Sequence, residues 1–163
     1  MSDHAKIVAA CEQISESVLH IKFEKANKQL IKDRVDQFID KKPSGEKAHW
    51  KKMLTEELRS PSETTTGFVV GESTTDIVIL TCAHSLQVCF DKLNPISASE
   101  VNRLYTISVQ CDHGELHHRK NRQISRVYSP AIVLQVNSSK DLLLLQVSKG
   151  FLQRGSPGTQ ISK

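Results

Sequence analysis

Apolar positions along the chain change period several times, and each change marks an element. Across residues 3–17, Ile7, Cys11, Ile14 and then Val18 recur at i, i+4, i+7 and i+11, a narrow stripe that predicts a short helix. Over residues 18–24 the period drops to two. Leu19, Ile21 and Phe23 alternate with His20, Lys22 and Glu24, the pattern of a half-buried strand with His20 on its solvent face. The helical period returns over residues 25–60. Leu30, Ile31, Val35, Phe38 and Ile39 share one face, Pro43-Ser44-Gly45 interrupts it, and Trp50, Met53, Leu54 and Leu58 form a second stripe over residues 46–58. Two such stripes predict a helical hairpin inserted into the domain. It either closes on itself and its neighbours or offers an exposed patch to a partner or to another copy.

Residues 60–63 read as a linker. Residues 64–71 and 76–86 then flank a polar turn, and both are rich in β-formers, which predicts a hairpin. Residues 87–102 are irregular, with Asn94-Pro95 and with Ser97-Ala98-Ser99-Glu100 suited to cap one helical turn. Tyr105, Ile107, Val109 and Cys111 alternate as a strand, and Asp112-His113-Gly114 reads as its turn. Residues 124–128 and 131–136 supply further strand material. Asn137-Ser138-Ser139-Lys140 is a turn that delivers Asp141 into a last strand ending near Val147. Six strands with short connections predict a mainly β fold, a single antiparallel barrel. The domain spans residues 1–148 with 25–60 inserted within it, and 149–163, with Gly150, Gly155, Pro157 and Gly158, reads as a linker or tail.

Two strand ends carry candidate chemistry. Leu80-Thr81-Cys82-Ala83-His84 places an imidazole where an apolar strand opens into a loop, held by the scaffold yet reachable. Asp141-Leu142-Leu143-Leu144-Leu145 places a carboxylate at the mouth of another, where it can fix an imidazole's tautomer. Taken alone, His84 reads as a satisfied core or rim histidine and Asp141 as a turn-exit carboxylate. Together, behind Gly67-Phe68-Val69-Val70, the three motifs resemble the first half of a trypsin-like serine peptidase of the chymotrypsin arrangement (PA clan), closest to the intracellular Deg/HtrA type. The resemblance covers roughly residues 15–147 and implies a Greek-key barrel that is half of a double barrel. It also implies His84 as general base and Asp141 as its orienter, acting on a polypeptide substrate. The helical insertion departs from that pattern.

So does the absence of a Gly-Asn/Asp-Ser-Gly nucleophile loop. Gly155-Ser156-Pro157-Gly158 imitates one, but the proline lacks an N–H and Arg154 stands where a glycine is expected. The expectation is therefore an inactive chain, a fragment or a relative without its own nucleophile, or a non-catalytic interaction module on the same barrel. A lone first barrel exposes the face that would meet a second, so a second barrel or an oligomer partner is expected there.

Composition narrows this only modestly. The 163 residues suit one domain, and a formal charge of +4 without a clustered basic face does not mark a nucleic-acid binder. His118-Arg119-Lys120-Asn121-Arg122 lacks interleaved aromatics and reads as a solvated loop. Cys111, His113, His117 and His118 match no standard zinc spacing, so neither a metal nor a cofactor is expected. Cys82 as a thiol nucleophile is disfavoured, since it shares the strand end with His84. Cys11, Cys82, Cys89 and Cys111 lack a disulfide-like spacing, no apolar signal region opens the chain, and Ser85 follows the histidine where extracellular trypsin-like enzymes carry a cysteine. These features point to an intracellular, reducing setting. No run approaches the roughly 18 apolar residues of a membrane helix.

Overall fold

The computed structural model describes residues 18–89, 95–110 and 128–152. Strand β1 (Val18–Lys25) forms where the two-residue period predicts it, with Leu19, Ile21 and Phe23 buried and His20 and Lys22 turned outward. His20 is nevertheless not a free solvent-face residue. Its Nδ1 lies 3.0 Å from the Tyr128 hydroxyl, in a hydrogen bond.

The insertion is a helical hairpin, α1 (Lys28–Asp40) and α2 (Ser44–Arg59). Asn27 caps α1 by accepting the N–H of Leu30 at 3.1 Å, satisfying one otherwise orphaned donor. Helix α2 starts two residues earlier than the apolar stripe suggests. The Pro43 carbonyl accepts the N–H groups of Glu46 and Lys47 at 2.9 and 3.2 Å, so Pro43 opens the helix instead of only interrupting one. Phe38 meets Trp50 edge to face at 5.3 Å, and the Lys42 ammonium covers both rings at 4.2 and 5.0 Å. Ile31, Val35 and Leu54 enter the main core, whereas Leu30 and Met53 stay exposed at the margins of their stripes. Arg34 of α1 pairs with Glu100 across the domain.

Beyond the hairpin come β2 (Ser62–Glu72) and β3 (Asp76–Cys82), then a 3-10 segment (Ala83–Cys89). The expected linker is two residues shorter than read from sequence, because Ser62 and Glu63 already pair with Glu24 and Phe23. Helix α3 (Ala98–Leu104), capped by Ser97, leads into β4 (Tyr105–Gln110). It is followed by β5 (Tyr128–Asn137), β6 (Leu142–Ser148) and one helical turn, α4 (Lys149–Leu152). The predicted N-terminal helix, the 112–114 turn, Cys111, residues 124–127 and the chain beyond 152 lie outside the described residues.

All strand pairs are antiparallel and close a barrel in the order β1-β2-β3-β6-β5-β4. Strand β4 returns beside β1 after the β1-β2-β3 meander, which is a Greek key. The mainly β, six-stranded antiparallel barrel expected from the sequence is therefore the fold. Ile21, Phe23, Ile79, Val109, Leu143, Leu145 and Val147 fill its interior, each at most 1% exposed. Gly67 marks the tightest approach. A Cβ there would lie 2.6 Å from Ile21 Cδ1, 2.8 Å from Ile79 Cγ2 and 2.9 Å from the Leu80 carbonyl oxygen.

Residues 149–152 are not a free linker. The Lys149 N–H donates to the Thr75 carbonyl at 2.8 Å and its ammonium to the Ser73 carbonyl at 2.6 Å, tying α4 to the β2–β3 turn.

Candidate functional site

The register between β3 and β6 runs from Asp76 opposite Ser148 to Cys82 opposite Leu142. It brings the exit of β3 and the entry of β6 to the same end of the barrel. His84 lies just past the first and Asp141 just before the second, so two residues 57 positions apart come into direct contact.

The turn before β6 sets the carboxylate. Asn137 Oδ1 accepts the N–H of Lys140 at 3.0 Å and the Ser139 hydroxyl at 2.8 Å, closing a side-chain-supported turn. Asp141 then adopts φ 58°, the left-handed region that few residues other than glycine, asparagine and aspartate visit. From there it holds residues 83 and 84 at three points. Its carbonyl accepts the Ala83 N–H at 3.2 Å, its Oδ1 accepts the His84 N–H at 2.7 Å, and its Oδ2 lies 2.6 Å from His84 Nδ1.

These contacts fix the proton inventory. An ionised carboxylate can only accept, so the ring proton of neutral His84 belongs on Nδ1 and the Nε2 lone pair is directed away from Asp141. The His84 side chain is 62% exposed and that of Asp141 47%, so Nε2 is open to an incoming group. The Asp141 hydrogen bond, the charge of a Cys82 thiolate and the Asp141 charge hold His84 above the ordinary imidazole range, against a weak opposing effect of burial. Burial pushes Asp141 upward, but the His84 ring, the His84 N–H, the imidazolium charge and the Ala83 N–H together outweigh it and leave it below the ordinary carboxylate range.

Cys82 is a third member that the sequence reading set aside. Its Sγ lies 3.1 Å from Ser85 Oγ and 3.7 Å from Thr65 Oγ1, and it is a free thiol. Partial burial pushes that thiol up. The Ser85 and Thr65 hydroxyls, the His84 charge and the Thr81 hydroxyl more than offset this, so the thiol sits below its ordinary range. Its signal in the sequence was position alone, two residues before His84.

Ser148 stands at the far end of β6, six residues from Leu142, or about 20 Å along the strand. Ser156, like Cys111, His113, His117, His118 and the 118–122 basic run, lies outside the described residues. Among the described residues no group of three or more His, Cys, Asp or Glu side chains is arranged to hold a metal ion. No described helix is long and apolar enough to cross a membrane.

No protein-family model matches this chain, and no curated protein matches it.

Proposed function

We propose that this chain is a trypsin-like serine peptidase-related barrel, carrying the base and orienter of a triad without the nucleophile. The observation that supports this most is the double grip of Asp141 on His84, one carboxylate oxygen on the backbone N–H and the other on Nδ1. A histidine held so at both ring and backbone has its free nitrogen aimed by the scaffold, which is what a general base requires. In a complete site Nε2 would accept the proton of a serine hydroxyl as that oxygen attacked a peptide carbonyl. The imidazolium so formed would be stabilised by Asp141 and would return the proton to the leaving amine. Nucleophile and oxyanion donors would have to come from a second barrel, in the same polypeptide or a partner. By itself the chain hydrolyses no peptide bond.

The second reading is a non-catalytic interaction module. What favours it is the outer surface of the barrel, where Phe68, Val70, Ile132 and Leu134 are each about half exposed. In either case the other party is a polypeptide. The free thiol at Cys82 accords with a reducing, intracellular location, which belongs to the proposal as well.

A fluorophosphonate probe applied to the 163-residue chain should label nothing, and labelling lost in His84→Ala would show a nucleophile in this chain. Reading the transcript beyond Lys163 separates the two readings. A Gly-x-Ser-Gly stretch within about a hundred codons supports the peptidase, in line with the usual size of one further domain; an immediate stop supports the module.

A further inference from the structure

The helical insertion departs from the peptidase pattern, yet it lies against the segment that carries His84. Helix α1 packs on the 3-10 segment Ala83–Cys89. In a 3-10 helix residues three apart stand on the same side. Ala83 and Leu86 are accordingly both buried, each 1% exposed, while His84 between them faces solvent. Helix α1 turns Ile31 and Val35 inward, and all four residues belong to one apolar cluster. The histidine therefore rides on an anchor whose packing comes partly from the insertion.

That packing matters because the dyad has little of its own. The two side chains are 62% and 47% exposed, and an exposed ion pair contributes too little to order a loop by itself. The segment also kinks at Leu86, with φ −114° and ψ 48°, so no continuous helix stiffens it. Helix α1, by contrast, is tied down at its start and along its length. The Ala26 and Asn27 N–H groups both donate to the Leu104 carbonyl, at 2.9 and 3.3 Å, and Arg34 pairs with Glu100 on α3. At the neck of the insertion the buried Lys25 ammonium donates to the Ser60 carbonyl at 2.7 Å. Helix α1 is a fixed wall, not a swinging arm.

We propose that α1 is a buttress for the dyad: Ile31 and Val35, acting through Leu86, are positioning residues that hold His84 against Asp141. As a statement about catalysis this rests on the peptidase reading. The contact itself can be followed in this chain without any nucleophile. The buttress can therefore fail where a downstream Gly-x-Ser-Gly is found, and hold where none is.

In the 163-residue chain, Ile31→Ala, Val35→Ala and Leu86→Ala should each loosen the dyad while the strand amides stay protected. The His84 amide, which donates to Asp141 Oδ1, should exchange about tenfold faster than in the wild type. The His84 ring should titrate lower, toward the ordinary imidazole range, as read by NMR against pH. Ile31→Val keeps most of the side chain and should leave both signals near their wild-type values. Val147→Ala, as deeply buried but toward the other end of β6, should lower stability without moving either signal. Unchanged His84 signals in Ile31→Ala and Leu86→Ala would overturn the proposal. Equal changes in Val147→Ala would overturn it too, because the insertion would then contribute general stability alone. Val35→Ala, the smallest deletion of the three, decides the matter if the larger ones unfold the chain.

Discussion

Asp141 does its work from a backbone conformation that most residues avoid, and this separates its charge from its shape. Asparagine tolerates the left-handed region about as well as aspartate and keeps the same outline, so Asp141→Asn removes the charge with little added strain. The His84 ring should then titrate lower than in the wild type, back toward the ordinary imidazole range, as read from its NMR shifts against pH. An unchanged midpoint would show that the carboxylate does not govern the ring. Asp141→Ala adds strain to the lost contacts and should cost about 1–2 kcal/mol more than Asp141→Asn in chemical denaturation. The pH dependence of stability follows from the two shifts. His84 is raised, so its contribution is present below the ordinary imidazole value and fades as pH rises through the raised one. Asp141 is lowered, so its contribution is present above the ordinary carboxylate value and is lost as pH falls through the lowered one. The pair therefore supports the fold most at mildly acidic pH. The amplitude is small, because solvent screens groups this exposed.

At the scale of elements, small residues and amides decide how strands meet. Gly67→Ala would push a methyl into Ile21, Ile79 and the Leu80 carbonyl at once. Backbone cannot retreat as a side-chain tip can, and the overpacking should cost about 1–3 kcal/mol in urea unfolding. A neutral result would mean that β2 and β3 move apart freely. Asn102 on α3 plays the complementary part. Its Nδ2 donates to the Val133 carbonyl at 3.0 Å and its Oδ1 accepts the Val133 N–H at 2.8 Å, satisfying the backbone beside the β5 bulge. Asn102→Ala leaves both groups to find other partners and should destabilise by about 1–3 kcal/mol, measured the same way. The sequence made the strands legible because alternation at Leu19-Ile21-Phe23 and Tyr105-Ile107-Val109 records which side faces the core. It did not reveal the bulge, since residues 131–134 are all apolar and carry no alternation that would mark where two consecutive residues, Leu134 and Gln135, both face outward and the register against β6 shifts. Nor did it reveal the docking of Lys149, which depends on carbonyls at Ser73 and Thr75 that carry no side-chain signature. Leu30 and Met53 misled for a related reason: a stripe gives a helix face, but not how wide a strip of it the neighbours cover.

For the molecule as a whole, the dyad is a product of barrel closure. Motif order in the sequence suggested that His84 and Asp141 belong together, but their contact exists only because β3 pairs with β6 along seven positions. Nothing local would hold them if that ladder opened. The helical hairpin is built into the same body, with Ile31, Val35 and Leu54 sharing the cluster that contains Ile21, Phe23 and Ile79. Trp50, the single tryptophan of the chain, reports on the hairpin through its contact with Phe38, while the His84 ring reports on the β3–β6 junction. If one core supports both, urea should change Trp50 fluorescence and the native His84 resonance with the same midpoint. An earlier Trp50 transition would make the insertion a separately melting arm, and the His84–Asp141 contact would then owe nothing to it. Coincident transitions would mean that packing beneath the hairpin helps to keep two distant strand ends within 2.6 Å of each other.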